Sequence, residues 1–215
     1  MFEAKGYKKL KLFMFKNRTA AGKLLVEKLQ NYDSKAILLA IPRGGVPVAV
    51  PIAKALHLTL ALVLTKKIGH PQNKEFAIGA ASLTDYFVTD EPGVSSQYIE
   101  AEVKKVRERL KIMKTIFQHD FTSLTIENKV VILVDDGMAT GRTVLHTVHL
   151  LRKYKPKKIV LAVPVASSSA VDLLQDNIDE LIVLNIASDF HAVGFYYEDF
   201  TEVTDSEVCR LLEDL

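Results

Sequence analysis

The sequence predicts an α/β fold, a doubly wound and mainly parallel sheet with helices on both faces. Short apolar runs alternate with helical patterns along most of the chain. One run, Val130–Val134, has five apolar residues in succession, which is typical of a strand buried on both faces of a parallel sheet. Polar turns follow several of the runs, and in open sheets of this kind ligands bind outside the carboxyl ends of the strands.

Apolar periodicity and the residues that begin or end helices place the elements. Asn17 is a candidate N-cap for the first helix, and Ser95 or Ser96 for the longest one. The longest helix has a single apolar face, which predicts packing on the domain or on a second copy of the chain. The polar segment 66–76 contains glycine and proline and is predicted to be a mobile loop. We predict strands over residues 36–41, 60–65, 77–83, 86–89, 130–134, 158–164 and 181–186, and helices over residues 17–30, 46–56, 96–117, 143–154, 167–175 and 204–215.

The chain is predicted to form one domain over residues 1–215, because its length is ordinary for a single large domain. Residues 1–16 and the aromatic segment 186–215 do not fit the alternation of strands and helices. We expect these two segments to form a small hood over the edge of the sheet.

Composition excludes several classes of protein. The formal net charge is +2 and no long basic run occurs, so no nucleic-acid partner is expected. The single cysteine, Cys209, suits a reducing compartment, and no apolar stretch resembles a signal core or a membrane span. We therefore expect a cytoplasmic protein without a membrane partner. His146 and His149 share a helix face but lack a nearby third ligand, and the motifs of serine hydrolases and zinc sites do not occur.

The segment that follows the central apolar run suits a phosphorylated sugar. The small residues of the turn 139–143 let backbone N–H groups approach a phosphate, and Thr140 and Thr143 add hydroxyl donors at a helix start. Asp135 and Asp136 would repel that phosphate, so they must face hydroxyl groups or a divalent cation. The turn is not a Walker A loop, since its second glycine comes one residue early and an arginine stands in the place of the lysine.

A second loop, residues 42–45, lies between an earlier strand and helix. Arg43 stands beside Gly44 and Gly45 there. A cationic donor next to exposed backbone N–H groups suits a pyrophosphate.

Residues 131–143 resemble the motif that binds 5-phosphoribosyl-1-pyrophosphate (PRPP) in the type I phosphoribosyltransferases. The motif has four apolar residues, two acids, two mostly apolar residues, and then a small residue, Thr, Gly, any residue and Thr; Gly137 is the one departure. The resemblance implies that Asp135 and Asp136 hold the ribose hydroxyls. It also implies that residues 42–45 bind pyrophosphate, and that the segment 66–76 is a lid over PRPP. The implied PRPP contacts are Gly44, Gly45, Lys66, Lys67, Glu75, Gly137, Met138, Ala139, Thr140, Gly141, Arg142 and Thr143.

The acceptor site is implied by a weaker resemblance. Residues 190–199 are similar in part to the base-binding segment of the purine-salvage members, which makes His191, Val193, Phe195 and Glu198 the candidate acceptor residues. His191 stands where an aromatic residue would stack on the base, and Glu198 stands where an aspartate contacts it. Ala139 stands where hypoxanthine and guanine enzymes place an acid. These departures argue against a standard 6-oxopurine acceptor.

The implied reaction is Mg²⁺-dependent transfer of the 5-phosphoribosyl group from PRPP to a nitrogenous base or related acceptor, with release of pyrophosphate. Asp135, Asp136 and Arg43 are the candidate catalytic residues, and the two acids would hold Mg²⁺ indirectly, through PRPP hydroxyls or water. The resemblance also suggests a homodimer. The competing hypothesis is a non-catalytic regulator that senses PRPP or a nucleotide on the same fold. A PRPP synthase or sugar-phosphate kinase would need an ATP loop, and we find none in the sequence.

Overall fold

The structure, a computed structural model, describes residues 14–74, 76–89, 91–120, 122 and 124–215. It contains a five-stranded parallel sheet, a three-stranded antiparallel sheet and helices packed on them. In chain order the elements are α1 (Arg18–Leu29), β1 (Ile37–Ala40), α2 (Gly45–Leu56), β2 (Thr59–Leu62), β3 (Lys66–Gly69), β4 (Ala77–Ala81), β5 (Tyr86–Val88), α3 (Ser96–Phe117), β6 (Val130–Val134), α4 (Arg142–Arg152), β7 (Lys158–Ser167), α5 (Ser168–Leu174), β8 (Glu180–Ala187) and α6 (Asp205–Glu213). A 3₁₀ turn, Val193–Tyr196, precedes α6.

The parallel sheet has the strand order β2-β1-β6-β7-β8, so the order reverses between β1 and β6. Both of these strands are buried, and their side chains alternate between two apolar clusters. Leu38 and Ile132 face α1, α2, α3 and α6, whereas Leu39 and Leu133 face α4 and α5. The predicted doubly wound α/β fold is thus confirmed. Because loops at a reversal point diverge to opposite faces, the crevice between them is the expected ligand site.

The antiparallel sheet has the order β3-β4-β5. The prediction of a loop over residues 66–76 is wrong for its first four residues, because β3 pairs with β4, with Lys67 opposite Ala80. The turn after β3 is fixed to α3 through Tyr98, whose hydroxyl donates to the Gly69 carbonyl (2.7 Å) and accepts from Lys74 Nζ (2.6 Å). Glu75, a predicted lid contact, lies outside the described residues.

Strand β7 runs to Ser167, three residues beyond the predicted end. The extension pairs with β8 and also bridges Met138, opposite Ala166. The loop that follows β6 therefore lies against the end of β7.

Phe15 pairs with residues 196–198 of the C-terminal segment beside β7 and β8. The Phe15 N–H donates to the Tyr196 carbonyl, and the Glu198 N–H donates to the Phe15 carbonyl, both at 2.8 Å. Phe15, Tyr196 and Tyr197 are buried together. Residues 1–13 of the predicted hood lie outside the described residues, and its boundaries stay a prediction.

Helix α3 buries Val103, Val106, Leu110 and Phe117 within the molecule, while Ile112 and Ile116 are exposed. The predicted homodimer stays a prediction. In the ranges that the structure describes, no helix combines the length and the apolar character needed to cross a bilayer.

Candidate functional site

Asp135 and Asp136 leave the carboxyl end of β6 at the reversal point of the sheet. The Asp136 N–H donates to Asp135 Oδ1 (2.8 Å). Burial raises the pKa of Asp135 well above its ordinary value, and the Asp136 charge raises it further. Burial also raises the pKa of Asp136, although the Arg18 guanidinium opposes this. The two carboxylates are therefore poorly solvated, and a ligand that brings hydroxyl donors or a cation would stabilise their charged forms.

Arg18, in the first turn of α1, is the cation that faces these acids. Its Nε donates to Asp136 Oδ2 (2.8 Å), and its Nη1 donates to the Thr201 carbonyl (2.9 Å). The guanidinium carbon lies 3.7 Å from the centroid of the Phe200 ring. The Tyr197 hydroxyl donates to the Asp136 carbonyl (2.6 Å), so α1 and the C-terminal segment both fix Asp136.

The predicted phosphate loop, residues 139–143, is open to solvent and lies on buried residues. Ala139, Thr140 and Thr143 are exposed, while Met138 and Gly141 are buried. Gly141 has φ +69°, a conformation that favours glycine, and it immediately precedes α4. The first N–H groups of α4 have no acceptor within the helix and, with the positive end of the helix dipole, suit an anion.

Ser167, at the end of β7, supports this loop. Its hydroxyl donates to the Ala139 carbonyl (2.6 Å), and its N–H donates to the Met138 carbonyl (3.0 Å). The Met138 N–H in turn donates to the Val165 carbonyl (2.9 Å). The loop is thus held in shape without a ligand.

Gly137, the one departure from the motif, has a steric reason. A Cβ atom built there would lie 2.6 Å from Val193 Cγ1 and 2.8 Å from Val165 Cγ1. The valine of the C-terminal segment fills the space that an aliphatic residue of the motif would need. Among the candidate acceptor residues, Val193 is thus placed directly on the loop.

The second loop packs against the acids through its glycines. A Cβ atom on Gly44 would lie 2.1 Å from Asp136 Oδ2, and one on Gly45 would lie 2.7 Å from the Val134 carbonyl oxygen. Only glycine therefore lets residues 42–45 approach the end of β6 so closely. The second loop thus lies beside Asp136, and its place in a common site with the phosphate loop stays a prediction.

The side chain of Arg43 turns toward the C-terminal segment. Its Nη2 lies 2.5 Å from Glu202 Oε1, and its Nη1 lies 3.8 Å from Asp205 Oδ1. The peptide bond that precedes it, Pro42–Arg43, is cis.

Two cavities flank the second loop. The first, which we name the hood cavity, has a volume of about 350 Å³ and is lined by Arg18, Arg43, Gly44, Asp136, Phe200, Glu202 and Val203. The second, which we name the cationic cavity, has a volume of about 590 Å³ and is lined by Ile41, Pro42, Thr65, Lys66, Lys67, Gly69, Lys74, Glu102, Lys105, Val106, Arg109 and Thr143. A groove of about 650 Å³ near Ile37 and Val130 lies at the opposite, amino edge of the sheet, away from the acids.

None of the candidate acceptor residues lines the cavity beside Asp136. The Phe195 residue is 61% exposed and packs beside His191, whose ring lies 3.6 Å from an Asp189 carboxylate oxygen. Glu198 is exposed. Phe200, Glu202 and Arg18 line the cavity beside Asp136 instead, and the sequence analysis did not find them.

The side chains around Asp135 and Asp136 determine whether a metal ion could bind beside them. Within the described part of the chain, no three His, Cys, Asp or Glu side chains form a group that could hold a metal ion. Two carboxylates, one of them paired with Arg18, fit a cation that is held mainly by the oxygens of a ligand.

Known proteins and one protein family are similar to this chain. The model of the "Phosphoribosyl transferase domain" family matches residues 7–199. Proteins of two strains of Mycobacterium tuberculosis, CDC 1551 and H37Rv, each named "Putative phosphoribosyl transferase", are 31% identical over an alignment of 206 positions, and the alignment covers 93% of this chain and 46% of each relative. The chain thus spans about half the length of these relatives.

Two solved structures are similar to this one. TT1426 from Thermus thermophilus is 35% identical with a TM-score of 0.84, over 94% of this chain and 98% of that one. AQ2163 from Aquifex aeolicus is 13% identical with a TM-score of 0.52, over 82% of this chain and 78% of that one, and shows likeness of fold alone. The family match covers both loops and the acids between them, and it confirms the resemblance inferred from the motif. The chain belongs to the phosphoribosyl transferase domain family.

Proposed function

We propose that the protein transfers the 5-phosphoribosyl group of PRPP to a nitrogenous base or related acceptor, in the presence of Mg²⁺, and releases pyrophosphate. One observation carries the proposal. At the reversal point of the sheet, the partly buried acids Asp135 and Asp136 lie directly before an open, preformed loop and the start of α4. A ribose 5-phosphate has hydroxyl groups for the acids and a phosphate for the loop.

The backbone of residues 139–143 and the hydroxyls of Thr140 and Thr143 would bind the 5-phosphate, since these residues lie at a helix N-terminus. Asp135 and Asp136 would accept hydrogen bonds from the ribose hydroxyls. Such bonds are strongest when the acceptor is charged. The hydroxyl donors would therefore favour the charged carboxylates and oppose the rise in pKa that burial causes in both acids.

Departure of pyrophosphate leaves positive charge on the ribose, and the two carboxylates can stabilise it through the hydroxyl groups that they bind. Mg²⁺, held indirectly by Asp135 and Asp136 through PRPP hydroxyls or water, would supply neutralisation of the departing pyrophosphate. Arg18 keeps Asp136 oriented by its hydrogen bond of 2.8 Å, which acts before any ligand arrives.

Arg43 would add a cation to the site once it leaves Glu202. The two side chains are 39% and 76% exposed, and an exposed ion pair contributes only about 0–1 kcal/mol. The pair is therefore weak enough for a phosphate to replace the carboxylate. A cytoplasmic location is part of the proposal and is based on the single cysteine.

The test is calorimetric titration of the parent chain and of an Asp135→Asn/Asp136→Asn variant with Mg²⁺ and PRPP. We expect the parent to bind PRPP and the variant to lose at least about tenfold in affinity, because each lost hydrogen bond to a charged group contributes about 1.5–3 kcal/mol. Asp176→Asn, an exposed site, is the control and should bind as the parent does. Equal affinity of parent and double variant would disprove the proposed site.

Pyrophosphate release from PRPP, measured with a panel of bases, separates transfer from sensing. Turnover with any base supports the transferase. Tight PRPP binding without turnover for every base would instead favour a regulator on the same fold.

A further inference from the structure

The motifs explain only part of the cationic cavity, because Lys66, Lys67 and Thr143 are implied PRPP contacts but its α3 residues are not. Among the residues that the structure describes, five cationic side chains and one carboxylate, that of Glu102, line it. Lys66 and Lys67 stand on one side, at the start of β3, and Lys105 and Arg109 stand on the other, on α3. The two α3 residues are four positions apart and thus lie on one face of the helix.

One carboxylate does not neutralise Lys66, Lys74, Lys105 and Arg109 together. Glu102 is shared between Lys74 (3.2 Å) and Lys105 (3.1 Å). Arg109 and Lys66 form no ion pair with any residue that the structure describes. A cavity with an excess of one charge on its walls concentrates ions of the opposite sign, so this one favours an anion with several charges.

The position of the cavity limits which anion fits. Pro42 of the second loop and Thr143 of the phosphate loop both line it, so it begins where the proposed ribose 5-phosphate site ends. Arg43, the cation expected for pyrophosphate, is not among its lining residues and lies in the hood cavity. The cations available to a pyrophosphate in the cationic cavity are therefore those of β3 and α3 and of Lys74.

We propose that Lys105 and Arg109 of α3 bind the pyrophosphate group of PRPP in the cationic cavity. This inference rests on the proposed function and assigns to it two binding residues outside the sequence motifs. The Arg109 guanidinium can donate two parallel hydrogen bonds to phosphate oxygens, while Lys105 adds a point charge. Glu102 holds Lys105 and Lys74 at the rim, because both ammonium groups contact its Oε1 atom.

The test compares two double variants that remove the same charge from the same helix. Lys105→Gln/Arg109→Gln alters the cavity. Lys104→Gln/Lys111→Gln is the control, since both lysines are exposed and lie outside the cavity lining. Each protein is titrated with inorganic pyrophosphate, PRPP and ribose 5-phosphate at constant Mg²⁺ and ionic strength, and thermal denaturation verifies folding.

The cavity variant is expected to bind pyrophosphate and PRPP at least about tenfold more weakly than the parent. Its affinity for ribose 5-phosphate should change less than about twofold, and the control should change less than about twofold for all three ligands. Unchanged pyrophosphate affinity in the cavity variant, or an equal loss for ribose 5-phosphate, overturns the inference. A parent that binds ribose 5-phosphate but not pyrophosphate overturns the inference alone, whereas a parent that binds neither PRPP nor ribose 5-phosphate overturns the proposed function.

Discussion

Arg18 and Asp136 are 118 positions apart in the chain and are joined by a hydrogen bond of 2.8 Å between Nε and Oδ2. Their side chains are only 10% and 15% exposed. The pair fixes α1 to the carboxyl end of β6, and the arginine also covers the Phe200 ring. A buried ion pair of this kind is costly to break, because removal of one partner leaves the other charge unsolvated.

Replacement of Arg18 by methionine should therefore lower the free energy of unfolding by about 3 kcal/mol. Urea denaturation measures the change. Arg210→Met is the matched control, because Arg210 and Asp214 form an exposed pair at 4.0 Å, and its effect should stay within about 0.5 kcal/mol. Equal losses in the two variants would show that the Arg18–Asp136 pair has no special role in stability.

Asp135→Asn should stabilise the fold while it weakens PRPP binding. Burial raises the folded-state pKa of Asp135, so at neutral pH the charged carboxylate lowers the stability of the folded state. Asparagine is neutral and keeps the oxygen that accepts from the Asp136 N–H. We expect the thermal midpoint to rise by about 2–4 °C, the shift that 1 kcal/mol produces in a domain of this size. Calorimetry beside Asp176→Asn checks this, and a lower midpoint for Asp135→Asn would contradict it.

Gly137→Ala should lower stability by about 1–3 kcal/mol, because its methyl group would collide with Val193 and Val165. Val193→Ala in the same chain should restore part of the loss by removing one of the colliding groups. A double-mutant cycle measures the coupling, expected to be about 0.5–3 kcal/mol. Gly137→Ala combined with Val208→Ala in α6 serves as the control and should be additive. Additivity in both cycles would mean that Val193 does not pack against Gly137.

His146 should make stability depend on pH. It is 1% exposed, and its Nδ1 has no hydrogen-bond partner among the described residues. Burial, together with the charges of His149 and Arg142, lowers the pKa of His146 from 6.5 to about 4. Above pH 6.5 the ring is neutral in both states and has no effect. As the pH falls from 6.5 toward 4, the unfolded chain takes up the proton first, and stability falls by about 3 kcal/mol at most.

Urea denaturation across this pH range measures the free energy of unfolding of the parent and of His146→Gln. Both proteins have the same carboxylates, so the contribution of the carboxylates cancels in the difference. The variant should lose less stability than the parent on acidification. His191→Gln, at an exposed site, should retain the slope of the parent. Parallel pH profiles for the parent and His146→Gln would exclude this role.

The sequence analysis predicted the parts of the site that depend on neighbouring residues. The run before Asp135, the loop after it and the helix start at Arg142 are contiguous, so their order along the chain is also their order in space. The second loop was found for the same reason. The second loop contacts Asp136 because it follows β1, Asp136 follows β6, and these two parallel strands are paired.

What the sequence analysis missed depends on distant pairs. No residue near Arg18 in the sequence indicates that it faces Asp136. The segment that begins at Lys66 is polar, and it forms a strand because β4 pairs with it. The aromatic segment has no period that would show which rings face inward, so Phe195 was chosen where Phe200 lines the cavity. The surroundings of Lys105 and Arg109 likewise come from the packing of α3 against β3, not from a motif.

The bond from Tyr197 to the Asp136 carbonyl has a consequence for protein synthesis. The ribosome adds Tyr197 61 residues after Asp136, and Arg18 reaches its second partner, Thr201, across 183 residues. A nascent chain that has already made β6 still lacks the groups that close over its acids. Contacts between residues so far apart form slowly, so the ligand-ready arrangement arises only after residues 197–201 have been synthesised and not with the strand that bears the acids.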